Sequence, residues 1–101
     1  LVRLSPYEQK VYKFDWSGQL AVGVTIDESD FFFTAIRPKR DTSLTLDNET
    51  ILADERSTWV RLSTPTEGAK YEIANRITTN ESPSRTLQES FFLLGEGSVG
   101  N

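Results

Sequence analysis

Hydrophobic and polar positions alternate with a period of two along most of the chain, and no window of useful length carries the 3.6-residue period of an amphipathic helix. β-Branched and aromatic residues gather in short runs bounded by Gly, Pro, Asn and Asp, so the pattern predicts short strands joined by turns. In 9–16 (QKVYKFDW), Val11, Lys13 and Asp15 lie opposite Tyr12, Phe14 and Trp16. Ser17–Gly18 predicts a turn, 20–26 (LAVGVTI) a short strand around Gly23, and 30–37 (DFFFTAIR) a strand stopped by Pro38. Short pieces at 43–46 and 50–53 are expected to flank a turn at Asp47–Asn48–Glu49. Further strands are predicted at 57–63 (STWVRLS), 71–79 and 85–94. About seven short antiparallel strands in a chain of this length point to an all-β, immunoglobulin-like β-sandwich. Residues 1–10 read as an arm or edge segment, 11–94 as the sandwich domain and 95–101 (GEGSVGN) as a flexible tail.

The stretch 71–79 (YEIANRITT) carries the most structural information. It follows a strand (WVRL) and a bend marked by Pro65 and Gly68. Immunoglobulin-like sandwiches place a tyrosine there, whose hydroxyl returns to the backbone of the bend, and Tyr71 fits that role. Tyr71, Ile73, Asn75 and Ile77 share one face of the strand. A buried asparagine is costly unless its amide is paired, so Asn75 is expected to bond neighbouring backbone groups. Arg76 points the other way and is expected to meet a carboxylate on an adjacent strand.

Composition removes most chemistry. The chain has 101 residues, a formal net charge of −4, no histidine and no cysteine. One domain with one lean core is the expectation, and any likeness to antibody domains excludes their disulfide. Lacking His and Cys, the chain has no His-based triad, no thiolate nucleophile and none of the usual zinc ligand sets. Positive residues are scattered except at Arg37–Lys39–Arg40, which argues against a nucleic-acid partner. Apolar runs are too short to span a membrane as a helix, and no signal peptide is visible. The chain opens at Leu1 instead of Met, which reads as a portion of a longer product. Acidic groups at Asp27–Glu28–Asp30 and around Asp47–Glu55 lack calcium-loop spacing and read as solvated turns. A glycosidase would need two carboxyls across a cleft, for which a small sandwich has little room. The expectation is no cofactor, no metal and no catalysis.

Two apolar runs remain, Phe31–Phe32–Phe33 and Phe91–Phe92–Leu93–Leu94. Consecutive side chains must face both sides of a strand, so one side needs cover other than the core. Either these strands are buried on both faces or bulged, or a partner covers one face. Phe31, Phe33, Phe92 and Leu94 are the candidate interface residues, with Arg37, Lys39 and Arg40 as a polar rim. Periodicity does not decide which phenylalanine of each run faces outward. Trp16 and Trp59 are read as core or boundary residues, the alternative being a sugar-stacking platform.

Several segments together resemble a known family. They are Phe14–Asp15–Trp16–Ser17, Leu20, Thr25–Ile26, Leu46–Asp47, Val60–Arg61–Leu62–Ser63, Gly68, Tyr71, Asn75–Arg76–Ile77–Thr78–Thr79 and Glu89–Ser90–Phe91. In this order, over residues 12–94, they are similar to the small tailed-phage virion proteins described as fibre–tail adaptor proteins. The approach STPTEGAKY is poorer in glycine than that family's, and the link to the ESF segment is longer. The resemblance implies an immunoglobulin-like sandwich without enzymatic activity, built into the virion after assembly in the bacterial host cytoplasm. The partners it implies are other virion proteins (tail, connector or fibre subunits), met by multiple symmetric copies. Capsid decoration on the phage head, and a carbohydrate-binding adhesion module, are the rival readings.

Overall fold

The structure is a computed structural model and describes residues 2–38 and 40–96. Lys39, and the part of the expected tail from Gly97 to Asn101, lie outside the described residues. Among the described residues seven strands form: β1 (Val2–Leu4), β2 (Gln9–Asp15), β3 (Ile26–Arg37), β4 (Thr45–Ile51), β5 (Ser57–Ser63), β6 (Lys70–Thr79) and β7 (Thr86–Gly95). They make two sheets, β1-β7-β6-β3 and β2-β5-β4. This is the strand order of an immunoglobulin-like sandwich, with β2-β5-β4 as its B-E-D sheet and β7-β6-β3 as G-F-C. Every pairing is antiparallel except β1 with β7, which run parallel. Among the described residues there is no helix long and apolar enough to cross a membrane.

Alternation decides which side chains fill the space between the sheets. From the four-stranded sheet come Phe31, Phe33, Tyr71, Ile73, Ile77, Phe91 and Leu93; from the other come Tyr12, Phe14, Val60 and Leu62. Trp16 lies just past the end of β2 and is completely buried. Aromatic rings bind the two layers: Tyr12 stacks on Phe91 at 4.0 Å between centroids, and Phe14 meets Trp16, Phe31 and Phe91. Contacts of this kind add about 0.5–1.5 kcal/mol each beyond the area they bury.

Three features depart from the expected pattern. Residues 20–26 do not form a strand; 17–25 are a turn-rich loop. Gly23 adopts φ 84°, and the Val24 N–H bonds the Ala21 carbonyl to close a turn. The two pieces expected at 43–46 and 50–53 are one strand, β4, whose register against β5 shifts between Asp47 and Thr50. Asn48 takes φ 54° there, so its turn preference yields a bulge in place of a chain reversal. Val2–Leu4, in the expected arm or edge segment, forms an edge strand on β7, and Leu4 is completely buried. Gly95, placed in the tail by its composition, is the buried last residue of β7, and the Glu96 N–H bonds the Leu4 carbonyl.

Candidate docking surface

The outer face of the four-stranded sheet is built in rows that cross the strands. Arg37, Lys70, Leu94 and Arg3 make one row; Thr34, Glu72 and Phe92 the next; Phe32, Ala74 and Ser90 the third; Asp30, Arg76 and Gln88 the fourth. Each aromatic ring is overlaid by a cation from the neighbouring strand. The Lys70 ammonium sits 4.9 Å from the Phe92 ring centre, and the Arg76 guanidinium 5.1 Å from that of Phe32. Such pairs contribute about 0.5–1 kcal/mol at exposed sites. Phe92 nonetheless remains 43% exposed. The face therefore offers flat apolar rings with positive charge over them, which suits a partner surface combining apolar and carboxylate groups.

The expected interface residues divide by strand parity. Phe31 and Phe33 face the core instead of a partner: Phe31 is buried, and Phe33 packs edge-to-face on Tyr71. Register fixes this, because Phe31 is opposite Asn75 and Phe33 opposite Ile73, both inward. Phe32, absent from the expected set, is the member of the run that points outward. Phe92 and Leu94 lie on the outer face, Leu94 half-buried. Arg37, the last residue of β3, is exposed in the first row, and Arg40, three residues past the strand, is exposed as well. Lys70 was also missed, since nothing in its own neighbourhood says which ring it will cover.

Among the described residues no carboxylate pairs with Arg76. Its Nε donates to Gln88 Oε1 at 3.1 Å while its guanidinium covers Phe32. On the inner face, Asn75 is bonded mainly by side chains, in place of the backbone groups expected. Its Oδ1 accepts from Trp16 Nε1 (2.9 Å) and Thr58 Oγ1 (2.6 Å), and its Nδ2 donates to Ser29 Oγ (2.9 Å) and the Asp30 carbonyl (3.0 Å). The Tyr71 hydroxyl accepts the Thr66 N–H at 2.9 Å, tying the corner to the bend five residues earlier.

The two tryptophans do not form a platform. Trp16 is enclosed between the sheets, whereas Trp59 is 36% exposed on the outer face of β5. There it lies beside Val11 and Lys13 of β2 and the Arg61–Asp47 pair (2.8 Å). The Arg61 hydrogen bond holds the Asp47 carboxyl below the usual carboxylate range. A groove of about 390 Å³ between β3 and β4 is lined by Ser29, Glu49, Thr50 and Ile51. The Glu49 carboxylate accepts the Phe31 N–H at 3.3 Å, and among the described residues no second carboxylate lines the groove. Among the described residues no cluster of three or more carboxylates stands close enough to hold a metal ion.

Residues 5–94 match the family described as podophage GP4 fiber-tail adaptor protein gp77. The chain belongs to this family. No curated protein and no solved structure matches it. The adaptor family is one of structural phage components, and its match spans β2 to β7 with nearly all of the docking face. The geometry also explains why the two most distinctive segments occur together. FDWS and NRITT meet in the core through the Trp16–Asn75 hydrogen bond, so the pair is a signature of the scaffold.

Proposed function

We propose that the chain is a non-enzymatic adaptor of a tailed-phage particle, joining the tail or connector to fibres through the outer face of the β1-β7-β6-β3 sheet. Membership of the fiber-tail adaptor family carries this reading. The choice of surface is supported by Phe92 and Phe32 under their cations, with Leu94 between Arg3 and Lys70 and with Arg37 and Arg40 at the rim. Docking is passive: apolar rings leave water on contact, and the basic row sets which end of the sheet meets the partner's acidic groups. Copies arranged by the particle's symmetry would each present the same face, with tail, connector or fibre subunits as partners.

The test is Phe92→Glu in a phage that depends on the plasmid-borne chain. Phe92 is half-exposed, so the substitution loses the Lys70 contact and sets a carboxylate opposite Glu72, which should lower the melting temperature by several degrees while the monomer still folds. Incorporation into particles should fall by about tenfold or more, the equivalent of losing one buried anchor. Wild-type incorporation would remove the face from consideration, and cryo-EM density for the chain on the head would replace the adaptor role with decoration.

A further inference from the structure

A fifth row, Glu28, Thr78 and Thr86, continues the outer face beyond Asp30, Arg76 and Gln88. Charge is arranged about the middle row, Phe32, Ala74 and Ser90, which has none. On one side lie Glu72 and then the basic row of Arg37, Lys70 and Arg3. On the other lie Asp30 and Arg76, and then Glu28. Along β6 the outward residues read Lys70, Glu72, Ala74, Arg76, Thr78, so the Glu and the Arg stand at equal distances from Ala74. Neither is in a salt bridge among the described residues. The Glu72 carboxylate accepts the Ser90 hydroxyl at 2.9 Å, and Arg76 is held by Gln88.

This pattern is complementary to itself when reversed. A two-fold axis lying across the strands, over the middle row, sets a second copy face to face with its strands antiparallel to the first. Each strand then faces its own copy, and the first and second rows lie over the fifth and fourth. Glu72 meets Arg76 of the other copy and Arg37 meets Glu28, each pair occurring twice, while Phe32 meets Phe32 at the axis. An axis along the strands would instead lay the basic row against itself, which like-charge repulsion disfavours. Facing sheets cross at about 30°, so contact concentrates near the axis, on Phe32, Glu72 and Arg76. Rows about 7 Å apart on strands about 4.8 Å apart give the face roughly 400 Å² per copy. A total near 800 Å² belongs with weak, exchangeable contacts and not with permanent dimers.

We propose that two copies of the free chain cover each other's docking faces in this antiparallel arrangement, and that a virion partner displaces the second copy on assembly. The proposal rests on the outer face being the docking face. The occupant is a second copy because the charges that would have to be matched are already matched by the same face reversed. Pairing withdraws Phe32 and Phe92 from water before assembly, and its weakness leaves the face available to the partner. Since ion pairs set the arrangement, added salt should separate the copies.

Two measurements test it. Sedimentation of the purified chain up to about 1 mM should show a monomer–dimer equilibrium. Glu72→Arg sets Arg against Arg twice and should weaken it about tenfold or more, as should Arg76→Glu. The double variant restores both reciprocal pairs and should pair nearly as the wild type does. The chain has no cysteine, so a single introduced thiol reports position cleanly. A bismaleimide of about 10 Å, the spacing of facing sheets, should join Ser90→Cys to its copy near the axis. Thr86→Cys, about 27 Å from its copy, should stay unjoined. Cross-linking is read with the charges unaltered, so it decides even where a swap fails to fold. A wild-type chain that stays monomeric, a dimer indifferent to both single swaps, or equal cross-linking at the two positions overturns the proposal. A monomeric wild type beside a failing Phe92→Glu overturns the pairing and leaves the docking face standing. The swap pattern above beside normal incorporation of Phe92→Glu keeps the pairing and removes the docking role.

Discussion

Asn75 costs the fold a buried amide and repays it with four hydrogen bonds, the full capacity of that side chain. Asn75→Leu keeps the same branched heavy-atom skeleton but leaves the Trp16 N–H and the Thr58 hydroxyl without their acceptor in a dry interior. An unsatisfied buried donor costs about 1–3 kcal/mol, so the substitution should lower stability by roughly 2–5 kcal/mol. Urea unfolding at unchanged m-value measures this, and an unshifted midpoint would refute the role given to Asn75. The need for partners was legible in the alternation of 71–79. Their identity was not, because Trp16 is 59 residues away and Thr58 is 17, on the other sheet. Arg56 makes the same point more strongly. In sequence it is one charge after an acidic turn; in the fold its guanidinium donates to the carbonyls of Ser17, Leu20, Ala21 and Val24, organising the loop between β2 and β3. A side chain that binds main-chain carbonyls leaves no pattern in residue types.

At the scale of elements, period two located β2, β3, β5, β6 and β7 within a few residues, because each exposes one face to the core and the other outward. It failed where the constraint is not burial alternation. The loop at 17–25 is apolar yet held by turns and Arg56, and the end of β7 looks like a linker because it is rich in glycine. Gly95 is required there by proximity. A Cβ added to it would lie 2.1 Å from the Thr66 carbonyl oxygen, in the bend that the Tyr71 hydroxyl fixes through the Thr66 N–H. Gly95→Ala must push the bend away from β7, at a cost of about 1–3 kcal/mol. Its melting temperature should fall by at least about 4 °C, whereas Gly18→Ala, with open space around the added atom, should stay close to wild type. Equal melting temperatures for the two variants would show that the bend yields freely.

For the whole molecule, composition already limits how stability can depend on pH. With no histidine or cysteine, side chains contribute a nearly flat plateau between about pH 5.5 and 8. Below it the carboxylates decide. Asp15 is held below its ordinary value by the Ser17 hydroxyl and N–H, Asp41 by Thr66 and Ser43, Asp47 by Arg61, Asp54 by the Arg56 N–H and Ser57, and Glu81 by Arg85 and Thr79. All five shifts have one sign. As pH falls from the ordinary values of 4.5 for Glu and 3.8 for Asp, the unfolded chain takes up protons before the folded one. The stabilisation from these groups is therefore complete above that range and is lost as pH drops through the lowered folded values. Melting temperature against pH should be level at neutrality and decline once pH passes below about 4.5. A maximum near pH 3 would contradict it. The five carboxylates hold turns and the β4–β5 pair and stand outside the four rows of the proposed docking face. Acid should thus loosen the scaffold through groups that stand apart from the rings of the proposed binding face. Binding lost in the plateau, where the fold is fully stable, would have to come from titration of the partner.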